Sequence, residues 1–427
     1  MNSHWAWRTL EDVLVRQGNR KPVQQGWSPK CHDFPASNGA WGVLKTTAIQ
    51  SGRFVPEYNK QLPDSLEPRP SIEVRAGDLL MTCAGPRSRC GVPALVRRTP
   101  DRLMMSGKMY RFRPDERLDP RFLELWLLSP VAQQAIDAMK TGISDSGLNL
   151  THARFTKLAV PVPTLPEQHR IVELLESHLT RLDAAAASLA DALRRQIALE
   201  RSALDTYFGA NPAVPLAVLI EEISGGRSFG ASNSPARLDE WGIIKVSAMT
   251  RGRFRPEENK AVSAEHVDAR FEIHQGDLLI SRANTADYVG ASVLVGRVRP
   301  KLLLSDKSLR ITPAAGVNAE WLWRALQAPS ARRQISKIAT GTKDSMRNIS
   351  RDGLRQIMLP DVDLTTQLAA LRAFAGLADA LVRMKIEIDA ADLRRERLKR
   401  ALLVAAFSGR LTGTGIGALG VQEMIGV

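Results

Sequence analysis

The sequence predicts an α+β protein with a pseudo-twofold internal duplication, in which two globular modules are joined by two long helices pairing as an antiparallel coiled coil. Three observations predict this: a repeat spaced by about 200 residues, short β-rich runs early in each repeat, and a 3-4 spacing of apolar residues late in each repeat. The expected division is 1–164 and 209–363 for the modules, 165–208 and 364–411 for the helices, and 412–427 for a C-terminal tail.

The repeat is recognised from matches that keep the same order along the whole chain. Trp-Gly-Val-Leu-Lys at 41–45 reappears as Trp-Gly-Ile-Ile-Lys at 241–245, a shift of 200 residues. Gly-Asp-Leu-Leu at 77–80 reappears at 276–279, a shift of 199 residues. Chance does not produce such a series, so we expect the two halves to fold alike.

Each module mixes strands and helices. Apolar and β-branched residues at 41–47, 78–83 and 108–113, separated by Gly and Pro, predict short strands. A helical segment is expected near 120–139, with its partner near 318–338. The pattern is typical of a compact α+β module rather than of a helical bundle.

The two long helices are predicted from apolar residues at 3-4 spacing. Pro166 is tolerated in a first helical turn, and Gly209 ends the central helix. Lys385 interrupts the seam of the distal helix, where it either helps to fix the register or lies at the edge with its ammonium group in water. The predicted seam consists of Val172, Leu175, Leu179, Leu182, Leu189, Leu193, Leu371, Phe374, Leu381 and Ile388. Antiparallel pairing is the simplest arrangement, although a parallel pair or an exchange of helices between chains fits the same spacing.

The net charge of +14 is concentrated in the modules. Residues 1–164 carry +8 and residues 208–363 carry +5, whereas the helical segments together contribute +1. This distribution favours two nucleic-acid-binding modules on a nearly neutral helical spacer. The alternative is that each module is a basic globular domain with a solvated surface.

Other classes of protein are disfavoured by composition. Cys31, Cys83 and Cys90 form no Cys-x-x-Cys pair, so a zinc ribbon or a disulfide framework is not expected. The N-terminus lacks an apolar leader, and no run of about 18 apolar residues occurs. We expect a cytoplasmic, nucleoid-associated protein without a membrane partner.

No motif for catalysis is convincing. A phosphate-binding Gly-rich loop, a dinucleotide fingerprint and a metalloprotease motif are all missing from the sequence. Glu258 and Lys260, with Asp239 upstream, resemble a nuclease motif, but the first repeat does not keep these acids. Asp78 and Asp277 fit turns at strand edges better than metal ligands. We therefore expect no catalytic residue, metal or cofactor in this chain.

Two stretches beside the long helices have distinctive sequences. One is Pro161-Val162-Pro163, followed by Leu-Pro-Glu-Gln-His-Arg-Ile-Val at 165–172, and the other is Ala-Ala-Phe-Ser-Gly-Arg-Leu-Thr-Gly at 405–413. In these stretches the chain resembles type I restriction–modification specificity subunits. The resemblance extends over nearly the whole chain in the order of recognition domain, helix, recognition domain, helix. The second copy reads Asp-Leu-Thr-Thr-Gln at 363–367, so it keeps only the Gln of Pro-Glu-Gln.

This resemblance implies a non-catalytic subunit that binds double-stranded DNA. Each target-recognition domain would read one half of a bipartite, asymmetric target, and the helices would set the unread gap. Two modification subunits with S-adenosylmethionine would dock on the helices, and restriction subunits, which are ATP-dependent translocases and nucleases, would use ATP and magnesium. The alternatives are a stand-alone methyltransferase or nuclease, and a coiled-coil adaptor that does not bind DNA.

The duplication divides the candidate DNA contacts into two groups. Because the two half-sites generally differ, residues identical in both modules suit folding or phosphate contact, and residues that differ suit base reading. The phosphate candidates are Lys45, Arg53, Lys60, Lys108, Lys245, Arg253, Lys260 and Lys307. The base-reading candidates, in the segments after Gly-Asp-Leu-Leu and in the Thr-Gly loops, are Arg87, Arg89, Arg282, Asn284, Lys343 and Arg347.

Overall fold

The computed structural model describes residues 5–16, 21–37, 39–250, 252–263, 265, 267–343 and 346–411. The predicted tail at 412–427, and Asp344 and Ser345 of the second Thr-Gly loop, lie outside these residues. The chain divides into two compact units, which we call unit 1 (residues 1–188 and 390–427) and unit 2 (residues 189–389). The boundaries fall inside the long helices and not at their ends, so each unit contains one module and part of both helices.

Unit 1 is built on an antiparallel four-stranded sheet, which is accompanied by smaller sheets. The order in the four-stranded sheet is Val23–Gln25, Met109–Phe112, Leu79–Thr82 and Pro93–Leu95. A second sheet has the order Leu103–Met104, Gly42–Leu44 and Asn59–Gln61, with the first pair parallel. A third, which we call the small sheet of unit 1, has the order Lys140–Thr141, Leu148–Leu150 and Ala84–Gly85. Two antiparallel pairs are Ala6–Thr9 with Ala159–Val162, and Ile49–Gln50 with Arg53–Phe54.

Unit 2 repeats the three sheets of unit 1 and the antiparallel pair Ala6–Thr9 with Ala159–Val162. Its four-stranded sheet has the order Ile220–Gly225, Ser308–Pro313, Leu278–Ser281 and Ser292–Leu294. The second sheet has the order Leu302–Leu303, Gly242–Ile244 and Asn259–Ala261, again with the first pair parallel. The small sheet of unit 2 has the order Thr340–Lys343, Met346–Asn348 and Ala283–Asn284. Pro212–Pro215 pairs with Met358–Pro360.

The predicted helical segment of each module is divided into two helices. They are Pro120–Leu128 and Pro130–Met139 in unit 1, and Ala319–Gln327 and Pro329–Ile338 in unit 2. The break has a local cause, because a residue that precedes proline is driven out of the helical region of the backbone. Ser129 and Ala328 adopt extended conformations with ψ of 148° and 140°.

Shorter helices complete the units. His152–Phe155 and Arg351–Arg355 are single turns of α-helix. The 3-10 turns are Leu10–Val13, Thr46–Ala48, Pro70–Ile72, Leu216–Val218, Val246–Met249 and Ala269–Phe271.

The central helix is Leu165–Phe208 and the distal helix is Leu364–Phe407. The distal helix was predicted to reach residue 411 but ends at Phe407, because Gly409 has a φ of 77° and the amide of Arg410 donates back to the carbonyl of Ala405. In unit 1 the start of the central helix packs in one core with the end of the distal helix, and in unit 2 the end of the central helix packs with the start of the distal helix. Both units therefore show antiparallel pairing, which confirms the predicted fold class.

The ends of the helices are part of the module cores. In unit 1, the ring of Phe407 lies 5.4 Å from that of Phe122 and 5.1 Å from that of Trp126, centroid to centroid. In unit 2, Phe208 and Phe374 are 5.2 Å apart. Edge-on aromatic pairs of this kind add to the free energy of apolar burial, so each module is fastened to both helices.

The predicted seam is buried to different degrees. Val172 and Leu175 are fully buried, and Leu179 and Leu182 pack against the same core of unit 1. In unit 2, Phe374 and Leu381 are each 3% exposed, whereas Leu189, Leu193, Leu371 and Ile388 are half-buried. Lys385 forms an ion pair of 2.5 Å with Asp389 one turn later and its side chain is 44% exposed, which favours the edge position over a role in fixing register.

Candidate nucleic-acid interface

The small sheet of unit 1 brings together the two segments in which base readers were predicted. Ala84–Gly85, which leads into residues 86–89, pairs with Leu148–Leu150 at the end of the Thr-Gly hairpin. The backbone amide of Arg87 donates to the carbonyl of Asp145 across the gap at 2.9 Å. The two variable segments therefore form one continuous surface.

The two arginines of this surface are used internally. Arg87 is exposed, but its guanidinium contacts Asp137 at 2.6 Å and Asp145 at 3.1 Å. Arg89 is half-buried and donates to the backbone carbonyls of Thr46 and Ile49, the latter at 2.8 Å. These contacts argue against base reading by Arg89 and show that it joins residues 86–89 to the 3-10 turn Thr46–Ala48 and to the strand Ile49–Gln50.

The small sheet of unit 2 has the same arrangement with different side chains. Arg282 is exposed, and within the part of the chain that the structure describes its guanidinium makes no hydrogen bond or ion pair. Arg347 is half-buried and lies opposite Asn284 in the strand register. Lys343 ends the first strand of this sheet, and its side chain is outside the described positions. Arg282 is thus the predicted base reader that this unit presents most openly.

Asn284 is placed where base reading is hard to reconcile with its contacts. Its side chain is buried, its Nδ2 donates to Ser281 Oγ at 3.3 Å, and its Oδ1 accepts from the amide of Thr285 at 2.9 Å. An amide used in this way shapes the turn after the strand. Unit 1 has Gly85 at the position that matches Asn284. The local hydrogen bonds of Asn284 therefore explain this difference between the repeats without base reading.

Two of the phosphate candidates, Lys108 and Lys307, flank the small sheets directly. The carbonyl of Lys108 accepts from the amide of Cys83 at 2.9 Å, and that of Lys307 accepts from the amide of Arg282 at 2.8 Å. Both lysine side chains are exposed. These matching positions beside each variable surface suit contacts to a DNA backbone.

The remaining phosphate candidates lie on the second sheet or the turns beside it. Lys45 and Lys245 are half-buried and precede matching 3-10 turns, while Arg53 and Arg253 are exposed. Lys60 forms an ion pair of 2.6 Å with Asp33, and Lys260 lies 3.5 Å from Asn233 Oδ1. Because of its ion pair with Asp33, Lys60 has a structural role in addition to its predicted contact with phosphate.

Ile143 was not predicted from the sequence. It lies between Gly142 and Ser144 at the tip of the Thr-Gly hairpin, and its side chain is fully exposed. Single exposed apolar side chains are common on protein surfaces, but the position of Ile143 in this hairpin places it beside the variable segments of unit 1. The sequence does indicate this residue, because Ile143 is the single apolar side chain in the polar loop 141–147.

Two pairs of residues that are identical in the repeats make contacts that stabilise the fold. Asp78 is buried and contacts Arg113 at 2.6 Å, and Asp277 contacts Arg310 at 2.9 Å. The side chains of Asn59 and Asn259 accept from the amides of Ala36 and Ala236 and donate to the carbonyls of Pro56 and Pro256. Asn259, the middle residue of the nuclease-like motif at 258–260, is thus buried and joins two loop segments through these hydrogen bonds.

The glutamine that both helix starts share, Gln168 and Gln367, also has a structural role. Gln168 is buried, accepts from the amide of Asp119 at 2.8 Å, and donates to the carbonyls of Pro163 and Arg117, both at 2.8 Å. Gln367 makes the equivalent bonds to Asn318, Val362 and Gly316. Although the second copy keeps only the Gln of Pro-Glu-Gln, it therefore starts its helix in the same way.

Neither a metal cluster nor a membrane span is found among the described residues. No group of three or more His, Cys, Asp or Glu side chains there could hold a metal ion. No helix in that part of the chain is long and apolar enough to cross a membrane. Cys83 and Cys90 are buried free thiols, and burial raises the pKa of Cys83 to about 12.

Comparison with known proteins gives a consistent result. The family described as "Type I restriction modification DNA specificity domain" matches residues 63–190. The specificity subunit of the type I restriction enzyme EcoEI from Escherichia coli is 32% identical over 203 residues, which cover 47% of this chain and 33% of that protein. This alignment thus spans about a third of the length of the EcoEI subunit.

Two further matches extend over most of the chain. The EcoKI specificity subunit from Escherichia coli strain K12 is 21% identical over 395 residues, covering 87% of this chain and 82% of that protein. A solved structure described as "Structural basis underlying complex assembly and conformational transition of the type I R-M system" matches with a TM-score of 0.71 and 20% identity, covering 96% of this chain and 99% of the other. Together with the duplicated fold, these matches show that the chain is similar to type I restriction–modification specificity subunits, in sequence over residues 63–190 and in fold over nearly its whole length.

Proposed function

We propose that this chain selects DNA sequence by reading a bipartite, asymmetric duplex target, one half with each unit. The observation that carries the proposal is the pair of small sheets. In both units the same topology joins two otherwise matched loop segments in which the repeats differ, and an exposed lysine, Lys108 or Lys307, flanks each surface. A constant frame with a variable surface suits the reading of two different half-sites.

The two units would read their half-sites with different chemistry. Unit 2 presents Arg282, whose guanidinium fits the O6 and N7 atoms of guanine. Unit 1 presents Ile143, whose aliphatic side chain suits the methyl group of thymine. This difference agrees with an asymmetric target.

The long helices would carry the partners and set the gap between half-sites. The distal helix exposes apolar residues on its outer surface, with Val382 and Ile386 each 59% exposed and one turn apart. Apolar residues exposed in this way favour burial by another protein. We assign this surface to two modification subunits, which would carry S-adenosylmethionine. Restriction subunits with ATP and magnesium would join the same complex, and this chain itself would hold no cofactor.

The test is salt-dependent duplex binding by the purified full chain, measured by fluorescence anisotropy. If the basic modules bind phosphates, affinity should fall steeply and linearly on a log–log plot of association constant against salt concentration. A coiled-coil adaptor would show no such binding. A stand-alone enzyme would methylate or cleave DNA without its partners, so the same preparation is assayed with S-adenosylmethionine and with magnesium.

A further inference from the structure

A cleft of about 1050 Å³ lies within unit 2, between the end of the central helix and the helix Pro329–Ile338. Its wall includes Ala286 and Asp287, which follow the small-sheet strand Ala283–Asn284. The cleft is therefore next to the surface proposed to read bases. Its charged lining residues are Arg201, Asp205, Asp287, Arg332, Arg333 and Lys337.

Only part of this positive charge is balanced within the fold. Arg333 pairs with Asp205 at 3.7 Å, and Asp205 also accepts from the amide of Ser330 at 2.9 Å. Arg201, Arg332 and Lys337 have no carboxylate within 4.0 Å among the described residues. Four basic and two acidic side chains thus leave the cleft with an excess of positive charge.

Arg332 is the most unusual of these cations. Its Nη2 donates to the carbonyl of Val289 at 2.9 Å, whereas its Nη1 is buried without a hydrogen-bond partner. Burial lowers the pKa of Arg332, as expected for a cation removed from water. A buried donor on an unpaired charge costs free energy that a bound anion would offset.

The matching position in unit 1 shows that the fold does not require this charge. Helix Pro130–Met139 has Gln133, Gln134 and Ala138 where unit 2 has Arg332, Arg333 and Lys337. Gln133 satisfies its own amide by donating to the carbonyls of Gly91 and Leu127 at 3.1 and 2.7 Å. Asp137, in place of Ser336, is bound by Arg87 and Lys140. Unit 1 therefore neutralises the region that unit 2 leaves positive.

We propose that the cleft of unit 2 binds a phosphate group, with Arg332 and Lys337 as its principal ligands and Arg201 as a further cation. The hydroxyls of Ser202, Thr206 and Ser336 also line the cleft and add hydrogen-bond donors. The inference builds on the proposed DNA binding, because a backbone phosphate beside the bases read by unit 2 is the source that the position favours. Free inorganic phosphate offers the same chemistry, and the experiment separates the two sources.

The test uses the full chain and the variant Arg332→Gln/Lys337→Ala, which installs the residues that unit 1 carries at these positions. Association with duplex DNA is measured against salt concentration. Loss of one phosphate contact should reduce the slope of log association constant against log salt by about 0.9, and should weaken cognate and scrambled duplexes alike. The matched control, Arg372→Gln/Arg383→Gln, removes two exposed arginines of the distal helix in the same unit and should leave the slope unchanged.

A second measurement identifies the source of the phosphate. Thermal unfolding of both proteins is followed in inorganic phosphate and in chloride at equal ionic strength. Stabilisation by phosphate that the variant loses, with an unchanged salt slope, assigns the site to free phosphate. The proposal is overturned if the variant changes neither the slope nor the response to phosphate.

Two controls keep the result interpretable. Lys337→Ala alone changes an exposed side chain, so it tests the cleft even if Arg332→Gln disturbs the fold; it should shift the slope in the same direction. If the wild-type chain binds no duplex at all, the proposed function is wrong. Thermal unfolding in phosphate and in chloride still shows whether the cleft binds a phosphate group.

Discussion

The buried side chain of Gln168 accepts a hydrogen bond of 2.8 Å from the backbone amide of Asp119, and so joins the first turn of the central helix to the N-cap of helix Pro120–Leu128. Asp119 in turn caps its own helix by accepting from the amide of Arg121 at 2.7 Å. The same two links recur in unit 2 between Gln367 and Asn318. This contact joins each module to the long helix that follows it.

Replacement of Gln168 by Leu should lower the free energy of unfolding by about 2–4 kcal/mol. The change keeps an apolar stem but leaves one buried amide and two carbonyls without partners, and each such loss costs about 1–3 kcal/mol with partial compensation by water. Urea unfolding of the full chain measures the effect. Gln134→Ala, at an exposed position on helix Pro130–Met139, is the control and should stay within about 0.5 kcal/mol of wild type. Equal stabilities of the two variants would refute the role of Gln168.

Asp119→Asn should make unit 1 less sensitive to acid. Burial opposes ionisation of Asp119, but hydrogen bonds from the side chain and backbone of Arg121 outweigh it and hold the pKa below the ordinary 3.8. A carboxylate with a lowered pKa contributes stability above pH 3.8 that is lost as the pH falls through its folded-state pKa. Asn, the residue that caps the matching helix of unit 2, keeps the cap without the charge.

Thermal unfolding between pH 7 and pH 3 checks this prediction. The variant should be less stable than wild type at pH 7, and the difference should shrink as the pH falls below 3.8. A difference that stays constant over this range would show that the charge of Asp119 does not contribute.

Arg282→Ala should cost about 1–3 kcal/mol of binding to the cognate duplex and relax the preference at one base position, within the half-site read by unit 2. Competition binding with a set of single-base variants of the target measures both effects. Arg89→Ala is the contrast, because Arg89 bonds to backbone carbonyls and its loss should lower stability instead of base preference. If Arg282→Ala weakens all sequences equally, this residue contacts phosphate.

Ile143→Ser should alter preference at one position of the other half-site. Loss of an apolar contact with a thymine methyl group should reduce discrimination at that position by about 1 kcal/mol. The same duplex set reports the change, and the melting temperature should not move because the side chain is fully exposed. Val131→Ser, at a position 40% exposed on a helix, is the control. Unchanged discrimination everywhere would remove Ile143 from the interface.

The periodicity of the sequence predicted the two modules and the two long helices. The division into units could not be predicted in this way, because it depends on contacts between segments that are far apart in sequence. The repeat and the 3-4 spacing predicted two similar modules and two long helices, because these patterns depend on residues close in sequence. The break at Ser129 was missed although Pro130 signalled it. The division of the units inside the helices follows from the packing of Phe407 on Phe122, which are far apart in sequence.

The candidate site was predictable as segments and not as single side chains. Comparison of the repeats located the two variable segments that the small sheets bring together. It could not show that Arg89 would bond to the carbonyls of Thr46 and Ile49, because those partners are set by tertiary structure. Nor could it show that Asn284 would be buried with its amide bonded to Ser281 and Thr285. The cations around Arg332 were not predicted either, because tertiary packing decides which of them lack a carboxylate partner.

The central claim, that each unit reads one half of a split duplex target, is tested most directly by sequencing the methylated bases of a host that expresses this chain with the modification subunit proposed as its partner. We predict methylated bases in a single motif made of two specified half-sites with a fixed unspecified gap between them. A contiguous motif, or no methylation dependent on this chain, would contradict the account.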